Sequence, residues 1–267
     1  MSLPTVDDVL ELAEPGGDAV IETRLVLYGA AVDGPQVLGR FTDEELVGLD
    51  GLGSEPSAPS PWYSSLSVNE QQIAITAALR GLTARGAYLA TPLDADAGTF
   101  EFLASVDILA LLTMRRHTGT VVVAERQHAE QLDWAVLYQQ RAGLWLTEYV
   151  SHIGLHEFVL SVDDAAGDAL TTWCGAHAET PAPPLDLTLT RTEVAAQSAA
   201  LGPVAQSTAA VTITRLDVGD AVQETWTGVY TGPAGSYVST AAGDGVRYVG
   251  ADREAVLAHW LDVLGAA

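Results

Sequence analysis

The chain contains no lysine. Its 12 basic side chains are all arginine, and they face 35 aspartates and glutamates for a formal net charge of -23. Without lysine there is no Schiff base to an aldehyde cofactor, which excludes ordinary pyridoxal-phosphate chemistry. The phosphate-binding lysines of P-loop proteins and kinases are missing too. So strong an acidic excess repels nucleic acid and anionic membranes, whose phosphates need clustered cations. Cysteine is nearly absent. Cys174 stands alone, so no internal disulfide forms, and a reducing, cytoplasmic setting fits. Long apolar runs are lacking as well: stretches such as residues 108–112 fall far short of the roughly 20 residues that cross a bilayer. The opening "MSLPTVDDVLELAEP" has neither the basic start nor the apolar segment of a secretion signal.

Catalytic motifs are equally scarce. No G-x-S-x-G elbow and no His-Glu-x-x-His pair occurs. His152 and His156 lie four apart in "SHIGLHEF", but Gly154 between them argues for a turn, so no metal site is expected there. "WCGAH" offers Cys174 and His177 without a second pair, and Cys174 reads as a small buried apolar residue. The glycines of "GPAGSYVSTAAGDG" sit between strands, away from any helix N-terminus where a phosphate could bind. No cofactor is expected.

What remains is a foldable chain of 267 residues, 48% hydrophobic, able to bury a sizeable core. Helical spacing marks residues 4–14 and 66–86, the latter with Asn69 as a cap and Gly86 beyond its end, and 42–49 reads as a short capped helix or a turn. β-Branched residues make 19–30 read as a strand, and 94–116 as a helix or a broken pair of helices. Gly/Ser/Pro-rich linkers cover 51–62 and 181–186. Four strands follow at 118–126, 133–141, 144–151 and 156–162, then a helix. After a helix at 190–201, four more strands come at 210–218, 222–232, 235–242 and 245–251, then a helix at 252–267.

The order helix, four strands, helix thus occurs twice, at about 100–174 and 192–267. Each copy ends in an acidic cap, an Ala/Leu helix and a tryptophan: Asp163 or Asp164 with Trp173, and Asp252 with Trp260. In the first joint, Asp163 or Asp164 should cap a helix whose inner face carries Leu170 and Trp173. The expected fold class is α+β: a central antiparallel sheet built from two similar helix–meander–helix halves in quasi-two-fold relation, flanked by helices. Consecutive apolar residues predict central strands covered on both faces. The expected organisation is an N-terminal part (1–60) packed on the body, a first half (61–180) and a second (181–267), in one compact unit.

One polar segment stands out between apolar strands. "RQHAEQLD", residues 126–133, carries His128, Glu130, Gln131 and Asp133. It is either a solvated hairpin or a protruding recognition loop on a rigid sheet.

Residues 66–267 resemble the EspG family, the chaperones of actinobacterial type VII (ESX) secretion. The resemblance lies in "NEQQIAITAALRGLTARGAYLATPLDADAGTFEFLASVDILALL", "TGTVVVAER", "EFVLSVDDAAGDALTTW" and "SYVSTAAGDGVRYVGADREAVLAHWLDVL". It implies a non-enzymatic cytosolic chaperone that binds helical PE–PPE-type secretion substrates and shields their apolar tips until export. By that resemblance a loop between early sheet strands and a C-terminal helical region touch the substrate. With Val20–Tyr28 as the first strand, the loop falls here on Gln127, His128, Glu130, Gln131 and Asp133. Two other readings stay open. One is a hydrolase with a pocket between the halves, using Asp163, Asp164, His152 or His156. The other is an acidic immunity or regulatory protein that masks a basic partner.

Overall fold

A computed structural model describes residues 12–13, 17–51, 58–94, 99–116, 119–179, 182–196, 199–218 and 222–266. The elements in chain order are β1 (Leu12–Ala13), α1 (Asp18–Asp33), β2 (Gln36–Thr42), α2 (Asp43–Asp50), α3 (Pro61–Ser64), α4 (Val68–Ala84), β3 (Tyr88–Asp94), β4 (Thr99–Ser105) and α5 (Val106–Arg116). A meander follows: β5 (Thr120–His128), β6 (Gln131–Arg141), β7 (Leu144–Val150) and β8 (Leu155–Val162), closed by α6 (Asp163–Trp173). Then come β9 (Asp186–Thr190), α7 (Arg191–Ala195), a 3-10 turn (Ala199–Leu201) and α8 (Gly202–Ala205). The second meander is β10 (Ala209–Val218), β11 (Val222–Gly232), β12 (Gly235–Ala242) and β13 (Gly245–Ala251), closed by α9 (Arg253–Leu264).

Among the described residues the fold is α+β, with ten strands in one antiparallel sheet ordered β2-β8-β7-β6-β5-β10-β11-β12-β13-β9. That order is symmetric about the central β5–β10 pair, in which Ile213 faces Ala124. Each edge strand runs into a helix whose first turn carries a glutamate reaching back to the strand's last amide: Thr42 N donates to Glu45 at 3.2 Å, and Thr190 N to Glu193 at 2.9 Å. This reciprocal Thr-x-x-Glu arrangement satisfies amides that a helix start leaves orphaned. A separate, smaller sheet has the order β1-β4-β3.

The two faces of the main sheet are built differently. On one, α6 and α9 pack against each other at the centre, and Ala166, Leu170, Val256 and Trp260 meet Val122, Leu137, Val211 and Ile213. A Cβ on Gly167 would come within 3.2 Å of Leu257 and Leu261, so glycine there allows the close crossing. On the other face, Tyr28, Ala31, Leu46, Leu111 and Met114 from α1, α2 and α5 cover Val136, Tyr138, Leu146, Phe158 and Leu160. Strands β6 and β7 are therefore buried on both sides, as their unbroken apolar runs predict.

Several expectations are corrected. Residues 19–30 are helix, within α1, not strand, so among the described residues the first strand of the main sheet is β2 and not Val20–Tyr28. Val20, Tyr28 and Ala31 are its buried residues and Leu27 packs beside them, a 3.6-residue spacing that outweighed the β-branched composition. Residues 94–116 are not one helical unit: Thr99–Ser105 pairs antiparallel with β3, and only Val106–Arg116 is helix. The helix at 190–201 shrinks to Arg191–Ala195, capped by Thr190 rather than Thr192. Ser67, not Asn69, caps α4. Asp163 does not cap α6, whose N-cap is Val162. Its carboxylate instead accepts from the Trp145 indole at 2.7 Å. Asp252 does cap α9, accepting from Ala255 N at 2.8 Å. Leu170 faces the core as expected, and Trp173 packs half-buried at its border. The predicted helix at 4–14 lies outside the described residues except for Leu12–Ala13, which pairs with Ser105 and Ala104. Half of the 51–62 linker, residues 52–57, lies outside them too, although Pro61–Ser64 forms a helical turn.

Candidate functional site

The segment 126–133 is a tight hairpin at the end of the central strands. β5 and β6 pair up to His128↔Gln131, leaving Ala129 and Glu130 as a two-residue turn. Gln127, His128, Glu130 and Gln131 are exposed. Asp133 turns inward. It accepts from Arg126 at 2.6 Å and from the His152 amide at 3.0 Å. Burial alone would raise its pKa, but these hydrogen bonds hold the carboxyl below the usual range. Arg126 also lies 4.6 Å from the Trp173 ring centroid and donates to the Trp173 carbonyl, where the end of α6 favours a cation. The hairpin base is thus fixed and its tip free.

Ala129 has φ +54°, the one non-glycine in the left-handed region among the described residues. Such a conformation costs an L-residue about 1–2 kcal/mol, and two-residue hairpins normally place Asn or Gly there. Ala129→Gly should therefore raise stability by about 0.5–1 kcal/mol after the extra chain entropy of glycine is counted. Urea denaturation measures it, and a loss of stability would refute the assignment of strain to this turn.

Across β5, His128 pairs with Ala209, four residues after α8 ends. The hairpin tip and the short helices of the second half therefore share one end of the sheet. The second half also carries a less covered face. Where β5–β8 present Val121, Val123, Val136 and Leu146 to α1 and α5, strands β10–β13 present Thr212, Trp226, Tyr230 and Ser239. Among the described residues, the short α7–α8 stretch lies over them, through Val194, Leu201 and Val204. The resulting hollow measures about 590 Å³, and Trp226 stands 61% exposed within it. Tyr230 and Tyr248 lie 5.8 Å apart on its floor, and burial pushes the Tyr248 hydroxyl up to about 12, so it stays a neutral donor. An aromatic and hydroxyl-lined concavity of this kind suits a polypeptide surface.

The groups suggested for hydrolysis do not converge. His152 is exposed at Asp133, and Asp163 is engaged by Trp145. Asp164 is exposed, and His156 is buried elsewhere. Burial pushes the Cys174 thiol up to about 12, which keeps it protonated and unreactive. No cluster of three or more potential metal ligands occurs among the described residues.

His156 belongs to a buried charge cluster that sequence reasoning missed. Its Nδ1 lies 2.7 Å from Glu148 and its Nε2 2.7 Å from Asp43. Arg115 donates to both Glu148 oxygens at 3.0 and 3.1 Å and to Asp50 at 2.8 Å. Tyr138 adds a hydroxyl to Glu148 at 2.8 Å, and Asp43 accepts the Tyr63 amide at 2.9 Å. A Cβ on Gly154 would fall 2.6 Å from the Asp43 carboxylate, at φ +75°, so the β7–β8 turn needs glycine to admit it. The signal in the sequence was Glu148 itself, a charge inside the otherwise buried strand "LWLTEYV". Such a charge demands a partner. The cluster joins α2, α5 and three strands, and its members are satisfied by one another, which marks it as structural.

No protein-family model matches the chain, and no curated protein does. Among solved structures it is similar to the type VII secretion system chaperone EspG5 of Mycobacterium tuberculosis, seen in complex with a PE25–PPE41 dimer. The TM-score is 0.50 at 14% identity, over 85% of this chain and 95% of that one. At this identity the likeness is one of fold.

Proposed function

We infer that the chain is a non-enzymatic, chaperone-like binding protein that holds a helical secretion substrate in the cytoplasm; the chaperone whose fold it resembles, EspG5, is seen in complex with a PE25–PPE41 dimer. The observation that carries this reading is the fold likeness over nearly the whole EspG5 chain. The recognition surface is the exposed hairpin tip of Gln127, His128, Glu130 and Gln131, with Asp133 anchoring its base and the adjoining short helices of the second half beside it. Two features support it: a tip fixed at its base and free at its end, and the uncovered hollow around Trp226. The partner's tip is apolar and helical, and its docking needs no cofactor.

Co-expression with PE–PPE-type pairs from the native genome, followed by size-exclusion chromatography, tests the reading. A stable complex is expected. His128→Ala with Gln131→Ala, or Trp226→Ala, should weaken it by about tenfold or more, a loss of about 1.4 kcal/mol, without lowering the melting temperature. Failure of every such pair to co-elute would remove the proposal.

A further inference from the structure

Helix α1 carries large apolar residues on its solvent side as well as its buried side, more than a helix with one wet face needs. One face is covered by α5 and β8, and the opposite arc faces solvent. At 100° per residue, Asp18, Glu22 and Gly29 run down the middle of that arc. Ile21, Leu25 and Val32 line one side of it and Val26 the other. Leu25 is 61% and Val26 71% exposed. Beside Val26 a groove of about 480 Å³ opens between α1 and the start of α5, floored by Leu27 and Val106 and edged by Glu22 and Asp107. A side chain at Gly29 would meet nothing within 4 Å, so another backbone can approach closely there.

The charges on this face have one sign. Asp18, Glu22, Asp33 and Asp107 meet no cation among the described residues. Arg24, the only basic residue of α1, is folded down onto the Tyr28 hydroxyl at 2.8 Å. A second copy laid antiparallel on this helix would set Asp18 against Asp33 at both ends, a repulsive arrangement. We propose that the outer face of α1, with the α1–α5 groove, docks a helix of a partner protein that carries an apolar stripe flanked by arginine or lysine. This surface lies on the sheet face opposite α6 and α9, and it is separate from the hairpin tip of the chaperone reading.

The test uses the full chain and two synthetic helical peptides with the same leucine stripe, one flanked by arginine and one by glutamate. Fluorescence anisotropy should detect binding of the arginine-flanked peptide only, weakening steeply with added salt. Leu25→Ser with Val26→Ser should weaken it by about tenfold or more. Asp18→Asn with Glu22→Gln should weaken it and flatten the salt dependence. These side chains are exposed, so circular dichroism and the melting temperature should stay unchanged, while His128→Ala should leave peptide binding intact. Equal binding of both peptides, or binding indifferent to the α1 variants, overturns the proposal. A dimer dissolved by the Leu25/Val26 variant does so as well, because the occupant would then be a second copy.

Discussion

Arg115→Met is expected to destabilise the fold by about 3–5 kcal/mol, measured as a lower urea midpoint with an unchanged slope. Methionine fills much of the arginine's volume, so the loss is electrostatic. Arg115 is 4% exposed and supplies two hydrogen bonds to a fully buried Glu148 and one to Asp50. Without it Glu148 keeps, among the described residues, Tyr138 and His156, the latter shared with Asp43, and an under-compensated buried carboxylate is costly. The companion result separates charge from packing. Arg115→Met combined with Glu148→Leu should recover part of the loss, because the buried carboxylate goes with its arginine while His156 stays paired with Asp43 and Asp50 keeps Arg116. A double variant no more stable than Arg115→Met alone would show that packing, not charge, governs the site.

The same cluster sets the pH response. His156 faces a carboxylate at each ring nitrogen. Burial lowers its pKa, but the hydrogen bonds and charges of Asp43 and Glu148 raise it above the ordinary 6.5. A raised folded-state value gives a stabilisation fully present below about pH 6.5 and lost as pH rises through the folded value. His259 acts in the opposite sense. It is half-buried, with Thr227 at 2.9 Å, and desolvation depresses its pKa to about 4. Its contribution is present above about pH 6.5 and is lost as pH falls toward the folded value. Glu148 adds to the acid limb: burial pushes it up, but Arg115 and His156 hold it below 4.5. The melting temperature should therefore peak near the ordinary histidine range and fall on both sides. In His156→Leu the alkaline decline should flatten, and in His259→Leu the acid decline should ease. An alkaline slope unchanged in His156→Leu would refute the first assignment.

The sheet was legible because its signals are local. The alternating and unbroken apolar runs of β5–β8 and β10–β13, broken by "RAG" and "GPAG", place eight of the ten main-sheet strands. The two edge strands were not legible. β2 sits in a segment of mixed polarity, and β9 hides in a proline-rich stretch; each is a strand because β8 or β13 offers it an open edge. Helix α1 was mistaken because Val20, Ile21, Val26 and Val32 favour strand locally, while its burial on α5 and β8 is a tertiary fact. The charge cluster was hidden because Asp43 and Arg115 occupy helix ends, where charges are ordinarily solvated and stabilise through the dipole. The hairpin at 126–133 was visible as polar residues between strands, but the inward turn of Asp133 depends on Arg126 and His152 across the sheet.

Trp260→Ala should cost about 3–5 kcal/mol, and Trp173→Ala clearly less, although the sequence sets the two tryptophans in matching places. Trp260 has no exposed surface and lies where α9 meets the central strands, among Val211, Ile213, Ala166 and Leu170. Alanine there removes a large apolar surface and leaves a cavity that the α6–α9 crossing cannot close, since Gly167 already brings the helices to contact. Trp173 sits at the border of the same core, 6.2 Å from the Tyr149 ring centroid and beneath Arg126, where solvent can take up part of the vacated space. The caps divide in the same way. Asp252→Ala removes a true cap worth about 1 kcal/mol, whereas Asp163→Ala removes an acceptor for the Trp145 indole. Two joints alike in sequence thus hold the sheet by different contacts. The first is tied to the hairpin through Arg126 and Asp133, and the second to the shared core through Trp260. Thermal melts of the two tryptophan variants, run side by side, decide the point. Equal losses would mean that the two helices contribute to the core symmetrically.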